Sequence, residues 1–139
     1  MIDVDYFKKV NDTLGHDAGD EVLKELSKVL KNSVRDSDFV VRFGGEEFII
    51  ILQNVKNEEG IIKVAEKIRE SFANTKIAVS GKTLTKTISI GVSIFPKDTK
   101  KIWEAIKYAD LALYEAKHTG RNRVVRFDKK LLEEADYQS

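Results

Sequence analysis

Apolar residues recur along the chain with helical and strand periods that mark out its elements. Val22, Leu23, Leu26, Val29, Leu30 and Val34 step by three and four positions and predict a helix from about Asp20 to Ser33. Ile61, Ala65, Ile68 and Phe72 predict a second helix, entered after Asn57-Glu58-Glu59. Ile102, Ile106, Ala109, Leu113 and Ala116 predict a third, closed near Gly120. Between these lie β-branched and aromatic runs. Met1–Val4 reads as the end of a strand, and Phe39–Arg42 with Glu47–Leu52 as a hairpin. Ile77–Val79 reads as a short strand. Gly81 turns into a longer one, in which Ile88, Ile90, Val92 and Ile94 alternate with Thr87, Ser89, Gly91 and Ser93. Arg123–Phe127 is the last strand, and residues 129–139 form a tail helix. Asp5–Asp17 reads as a polar loop with Gly15 as a breaker, and Trp103 reads as core. Helices and strands interleave around an antiparallel hairpin, so the class is α/β (α+β) with a mixed sheet flanked by helices.

The 139 residues suit one domain with one core. Lys and Arg number 24 against 23 Asp and Glu, and this balance argues against bulk attraction to nucleic acid or an anionic membrane. It leaves room for a small basic pocket. The absence of cysteine excludes disulfides and thiolate metal sites. The apolar runs are short of a bilayer's thickness and no signal peptide is visible, so a cytoplasmic location is expected.

Candidate chemistry begins at Arg42-Phe-Gly-Gly-Glu-Glu-Phe48, where apolar strands flank two glycines and two glutamates. Gly-Gly between strands makes a tight hairpin turn; two carboxylates are not needed for it. Asp3-Val4-Asp5 leaves another strand. If these strands are neighbours, three or four carboxylates converge on one sheet edge and repel, which a divalent ion relieves. Hard oxygen ligands without His or Cys point to Mg²⁺. Two such ions clamp the attacking and leaving oxygens in phosphoryl transfer. Gly44 and Gly45 leave room for a phosphate chain near the backbone.

Three blocks carry a resemblance. Gly44-Gly-Glu-Glu-Phe48 matches the signature of GGDEF-domain diguanylate cyclases. Asp3-Val-Asp-Tyr-Phe-Lys-Lys-Val-Asn-Asp12, with Gly15-His-Asp and Gly19-Asp20, is similar to that family's first block. Ala109-Asp-Leu-Ala-Leu-Tyr-Glu-Ala-Lys117 with Gly120-Arg-Asn122 is similar to its last. The resemblance covers nearly the whole chain. It implies a palm-like α/β sandwich resembling nucleotide cyclase catalytic domains and an activity that joins two GTP into cyclic di-GMP and two pyrophosphates. It also implies two Mg²⁺ (or Mn²⁺) ions per active site and a second GGDEF protomer, because the product needs two GTP.

Residue roles follow from the same resemblance. Asp3 and Glu46 would hold metal by side chain and Val4 by its carbonyl. Glu47 would support the second metal or help activate the 3′-hydroxyl, with Glu46 the alternative acceptor for its proton. Lys8 would stabilise phosphate charge. Asn11 and Asp20 would read guanine, His16 would line the pocket, and Arg42, Gly44 and Gly45 would border it. Lys117 and Arg121 lie four apart at a helix end and would face one phosphate tail. Arg35-Asp-Ser-Asp38 matches an inhibitory product site in which Arg35 and Asp38 grip cyclic di-GMP. Plainer readings stand beside these. Asp3 and Asp5 would be solvated loop acids, Lys117 and Arg121 cations favoured by the helix dipole, and His118 exposed and idle.

The family's domain begins upstream, with a helix and most of the first strand. The chain is therefore expected to be a GGDEF domain lacking that front and to be weak or inactive alone. Its bare sheet face should promote self-association. An upstream sensor or receiver domain, or a membrane anchor within missing upstream domains, is expected in the intact protein. The competing function is a non-catalytic cyclic di-GMP receptor, against which the intact GGEEF stands.

Overall fold

The computed structural model describes residues 1–138, with side chains to residue 134. Ser139, the end of the expected tail helix, lies outside the described residues. Five strands form one sheet in the order β2-β3-β1-β6-β7. They are β1 (Ile2–Val4), β2 (Phe39–Arg42), β3 (Glu47–Ile51), β6 (Ile88–Val92) and β7 (Val124–Arg126), with β4 (Ile77–Val79) and β5 (Lys82–Leu84) forming a separate hairpin. Among the described residues only β6 and β7 pair in parallel, and α4 (Ile102–His118) connects them. Helices α1 (Phe7–Leu14), α2 (His16–Ser33), α3 (Glu58–Ala73) and α5 (Lys130–Gln138) complete the order.

The central strand β1 takes its place from its composition. Ile2 and Val4 point to one face and join Phe48, Ile88 and Ile90 in a core closed by Leu26 and Leu30 of α2 and Ile68 and Phe72 of α3. Burying each of these large side chains contributes roughly 1.5–3 kcal/mol. Asp3, between Ile2 and Val4, therefore faces the opposite side, toward α4. Asn57 caps α3, its carboxamide oxygen accepting from Gly60 N–H at 2.8 Å, so that helix starts at Glu58, inside the segment predicted to precede it.

On the α4 side, Ala109, Ala112, Leu113 and Ala116 are buried. These small residues let the helix approach β6 closely. A Cβ at Gly91 would lie 2.1 Å from the Ala109 carbonyl oxygen and 2.3 Å from the Leu113 nitrogen, so only glycine fits. Farther along the same face the sheet is bare. Phe39, Val41 and Ile51 are exposed, and an open groove of about 590 Å³ runs between Ile49 and Ile51 and the α4 residues Ala105, Ile106 and Ala109.

The structure corrects several expectations. The polar stretch after Asp5 is not a loop: it holds α1, and α2 begins at His16 rather than near Asp20. Only Phe7 and Val10 of α1 are buried, too few to show a period, while Gly15 breaks the two helices at φ +91. The strand after Gly81 is two strands, β5 turning back on β4 before β6 begins. Trp103 is 59 % exposed, because α4 packs through its alanine row and Trp103 lies off that line, with the Lys101 ammonium 5.6 Å from its ring centroid. Among the described residues no helix is long and apolar enough to cross a membrane.

Candidate active site

Asp3 is the centre of the site. Its Cα pairs with Glu47 of β3 on one side and Ser89 of β6 on the other. It is 2 % exposed, which overturns the solvated-acid reading. Lys117, in the last turn of α4, forms an ion pair with Oδ2. Oδ1 is buried and has no hydrogen-bond partner. Burial pushes the carboxyl pKa up to about 6; Lys117 opposes the rise, and the charges of Glu46 and Glu47 add to it. The three carboxylates are thus close enough to feel one another.

Asp5 does not belong to that group. Oδ1 accepts from Ser89 Oγ at 2.6 Å, and Oδ2 accepts from Thr87 Oγ1 at 2.6 Å and from Asn122 N–H at 3.0 Å. It is a satisfied buried acid that ties the turn after α4 to the end of β1.

The hairpin that delivers Glu46 and Glu47 is wider than a two-residue turn. Arg42 pairs with Phe48 across it, Phe43 N–H donates to the Glu47 carbonyl at 2.9 Å, and neither Gly44 nor Gly45 has positive φ. A Cβ on Gly45 would meet nothing within 4 Å, so space rather than backbone torsion distinguishes it. The Arg42 guanidinium braces the turn, donating to the Gly44 carbonyl at 3.3 Å and the Gly45 carbonyl at 2.7 Å.

The residues expected to read guanine come from α1 and α2. Asn11 presses against Gly19, where a Cβ would fall 2.0 Å from Asn11 Oδ1; that oxygen is buried and unpaired. Asp20 is exposed and lines an open groove of about 790 Å³ with Leu23, Lys24, Val40, Arg42 and Phe48. The groove lies between α2 and the hairpin. His16, the first residue of α2, and Lys8, in the first turn of α1, are exposed and make no side-chain hydrogen bond among the described residues. Val4 buries its side chain, so only its backbone is available to a ligand.

Lys117 and Arg121 do not share a helix. The helix ends at His118, and Arg121 stands beyond it at φ +61, its guanidinium 4.5 Å from the ring centroid of Tyr6. Both cations still address the β1–α1 junction, one through Asp3 and the other through Tyr6. Tyr6 was missed by the sequence reading; an exposed aromatic in a polar segment carries no periodic signal. His118 is exposed as expected, with its ring stacked on Tyr114.

Arg35 and Asp38 lie at the far end of β2. Asp38 accepts from the backbone N–H of Arg35 and of Gln53, both at 2.9 Å, and from the Arg35 guanidinium at 3.3 and 3.4 Å. Burial alone would raise its pKa, but these bonds and the Arg35 charge hold it below the usual carboxylate range. Its side chain is 2 % exposed, whereas that of Arg35 is 58 % exposed. Asp38 therefore closes the loop, and Arg35 is the member open to a ligand.

Among the described residues no three His, Asp or Glu side chains form a ready metal cage. The donor set nevertheless fits a hard cation. It is all oxygen, and Asp3 Oδ1 is buried without a partner. Mg²⁺ takes few protein ligands and keeps waters.

The family model described as "Diguanylate cyclase, GGDEF domain" matches residues 1–123. Diguanylate cyclase A of Treponema denticola is 48 % identical over 124 residues, covering 89 % of this chain and 33 % of that protein. The active GGEEF domain of a diguanylate cyclase from Vibrio cholerae superposes with a TM-score of 0.82 at 39 % identity, over 91 % of this chain and 80 % of that one. The GGDEF domain of DgcB from Caulobacter crescentus, solved in complex with c-di-GMP, superposes with a TM-score of 0.81 at 30 % identity, over 90 % and 74 %. The chain spans about a third of the length of the Treponema relative. With the family model matching most of its length and the acidic sheet edge in place, the chain belongs to the GGDEF family of diguanylate cyclase domains.

Proposed function

We propose that the chain is the catalytic part of a diguanylate cyclase. Each protomer holds one GTP, and two protomers face each other. The 3′-oxygen of each GTP attacks the α-phosphorus held by the other protomer. The bond from that phosphorus to the β-phosphate oxygen breaks, and pyrophosphate leaves. Two such displacements give cyclic di-GMP and two pyrophosphates. Glu46 or Glu47 takes the hydroxyl proton. Lys117, Arg121 and Lys8 balance phosphate charge. Asn11 and Asp20 select guanine, with His16, Arg42, Gly44 and Gly45 bordering the nucleotide.

Asp3, Glu46 and the Val4 carbonyl would hold two Mg²⁺ or Mn²⁺ ions. Bound there, the metal polarises phosphate and lowers the hydroxyl pKa. The observation that carries the reading is the Asp3 carboxylate, buried with one oxygen unpartnered and set opposite Glu47 in register. Arg35, exposed beside the closed Asp38 loop, would hold product outside the site and limit turnover. The bare surface of Phe39, Val41 and Ile51 supports a longer catalytic domain whose further helix covers it.

Incubation with GTP and Mg²⁺, followed by chromatographic separation of nucleotides, tests the proposal. Cyclic di-GMP should form slowly with this chain, faster with a form extended upstream, and with neither once Glu46→Gln is introduced. Failure of both forms to convert GTP contradicts it.

A further inference from the structure

We propose that Tyr6 is a positioning residue that holds Arg121 ready for the triphosphate tail; this rests on the reading of Arg121 as a phosphate contact. Tyr6 is an unusual residue in three respects. It has left-handed backbone geometry, φ +56, which bulky residues avoid. It is 58 % exposed, so its ring is not held there by the core. It is also the link between Asp3-Val4-Asp5 and α1, at the site's edge.

The ring's nearer cation is Arg121; the Lys86 ammonium stands farther off, 5.8 Å from the centroid. The guanidinium carbon lies 4.5 Å from the ring centroid, within cation–π range, and Nη1 lies 3.4 Å from the tyrosine hydroxyl. The Arg121 side chain makes no other hydrogen bond among the described residues, so most of its donors stay free for an anion.

The turn that presents Arg121 is fixed from several sides. Arg121 and Asn122 both take positive φ, +61 and +46. Arg121 N–H donates to the Ala116 carbonyl at 2.9 Å, finishing α4. Asn122 N–H donates to the buried Asp5 at 3.0 Å, and Asn122 Oδ1 accepts from Arg69 of α3 at 3.0 Å. The backbone of the turn is thus anchored, and only the long Arg121 side chain remains free to wander. Stacking on Tyr6 removes that freedom before ligand arrives, which is the gain expected of preorganisation. A plain surface tyrosine would need neither the strained backbone nor the guanidinium over its ring.

Calorimetric titration with GTP and with GMP, in Mg²⁺, separates a tail contact from general damage, since GMP lacks the β- and γ-phosphates. The variants are Tyr6→Asn, Tyr6→Phe, Arg121→Ala and the double variant Tyr6→Asn/Arg121→Ala. Asn accepts left-handed geometry, so it removes the ring without adding strain. Tyr6→Asn should weaken GTP binding about fivefold while leaving GMP affinity unchanged, and Tyr6→Phe, which keeps the ring face, should stay close to the parent. In the Arg121→Ala background, Tyr6→Asn should have no further effect. Equal losses for GTP and GMP, or an undiminished loss without Arg121, overturn the positioning role. If Arg121→Ala itself leaves the GTP-to-GMP affinity ratio unchanged, the phosphate reading of Arg121 falls, and the proposal with it.

Discussion

Lys117 of α4 closes an ion pair on Asp3 of β1, so a helix end and the centre of the sheet meet at one buried carboxylate. The ammonium pairs with Oδ2 of an acid that also feels the charges of Glu46 and Glu47, while Oδ1 stays buried without a partner.

Asp3 should cost the metal-free protein stability at neutral pH. Its folded pKa of about 6 lies above its ordinary 3.8, so between these values the folded state binds more protons than the unfolded one. Its contribution is therefore most favourable below pH 3.8 and is lost as pH rises through 6. In chelator, Asp3→Asn should be more stable than the parent at pH 7, by at most about 3 kcal/mol, with the difference shrinking toward pH 4. Urea denaturation at both pH values measures it. An Asp3→Asn variant less stable than the parent at pH 7, with the deficit shrinking toward pH 4, would show that the ion pair with Lys117 outweighs burial.

Asp20 should set the base preference. It is exposed on α2 above the groove, and its carboxylate is free to accept from guanine. Asp20→Ala should lose about 1.5–3 kcal/mol of GTP binding and little of ATP binding. Competition titration of the two nucleotides decides it: unchanged discrimination removes Asp20 from the pocket.

Arg35 and Asp38 should separate when mutated. Arg35→Ala should abolish cyclic di-GMP binding and keep GTP binding, because a guanidinium grips phosphate or a guanine edge in a way that alanine does not replace. Asp38→Ala strips the acceptor from two backbone N–H groups and should lower stability by about 1–3 kcal/mol. Thermal unfolding and product titration of both variants give the answer. Unchanged product affinity in Arg35→Ala would reduce the motif to a loop clasp.

Much of the fold was legible because burial writes a period into the longer elements. Leu26 and Leu30, or Ile68 and Phe72, leave no other face for their helices to bury. Helix α1 was not legible, since eight residues with two buried side chains look like a loop. Trp103 misled because its size suggests core, whereas the close approach at Gly91 selects alanines instead. At the site, the apolar flanks of Asp3 and Glu46-Glu47 made their convergence readable. That Asp5 turns away depends on Thr87, Ser89 and Asn122, far along the chain. Arg121 was placed on the helix by spacing alone; its backbone turns left-handed beside Asn122, whose N–H is held by the distant Asp5.

The central claim is that the acidic edge of β1 and β3 is a metal-dependent GTP site. Calorimetric titration of GTP into the parent and into Glu46→Gln, each with Mg²⁺ and with chelator, addresses it most directly. Tight binding only in the parent with Mg²⁺ is the expected result. Equal GTP affinity in all four titrations would contradict the account.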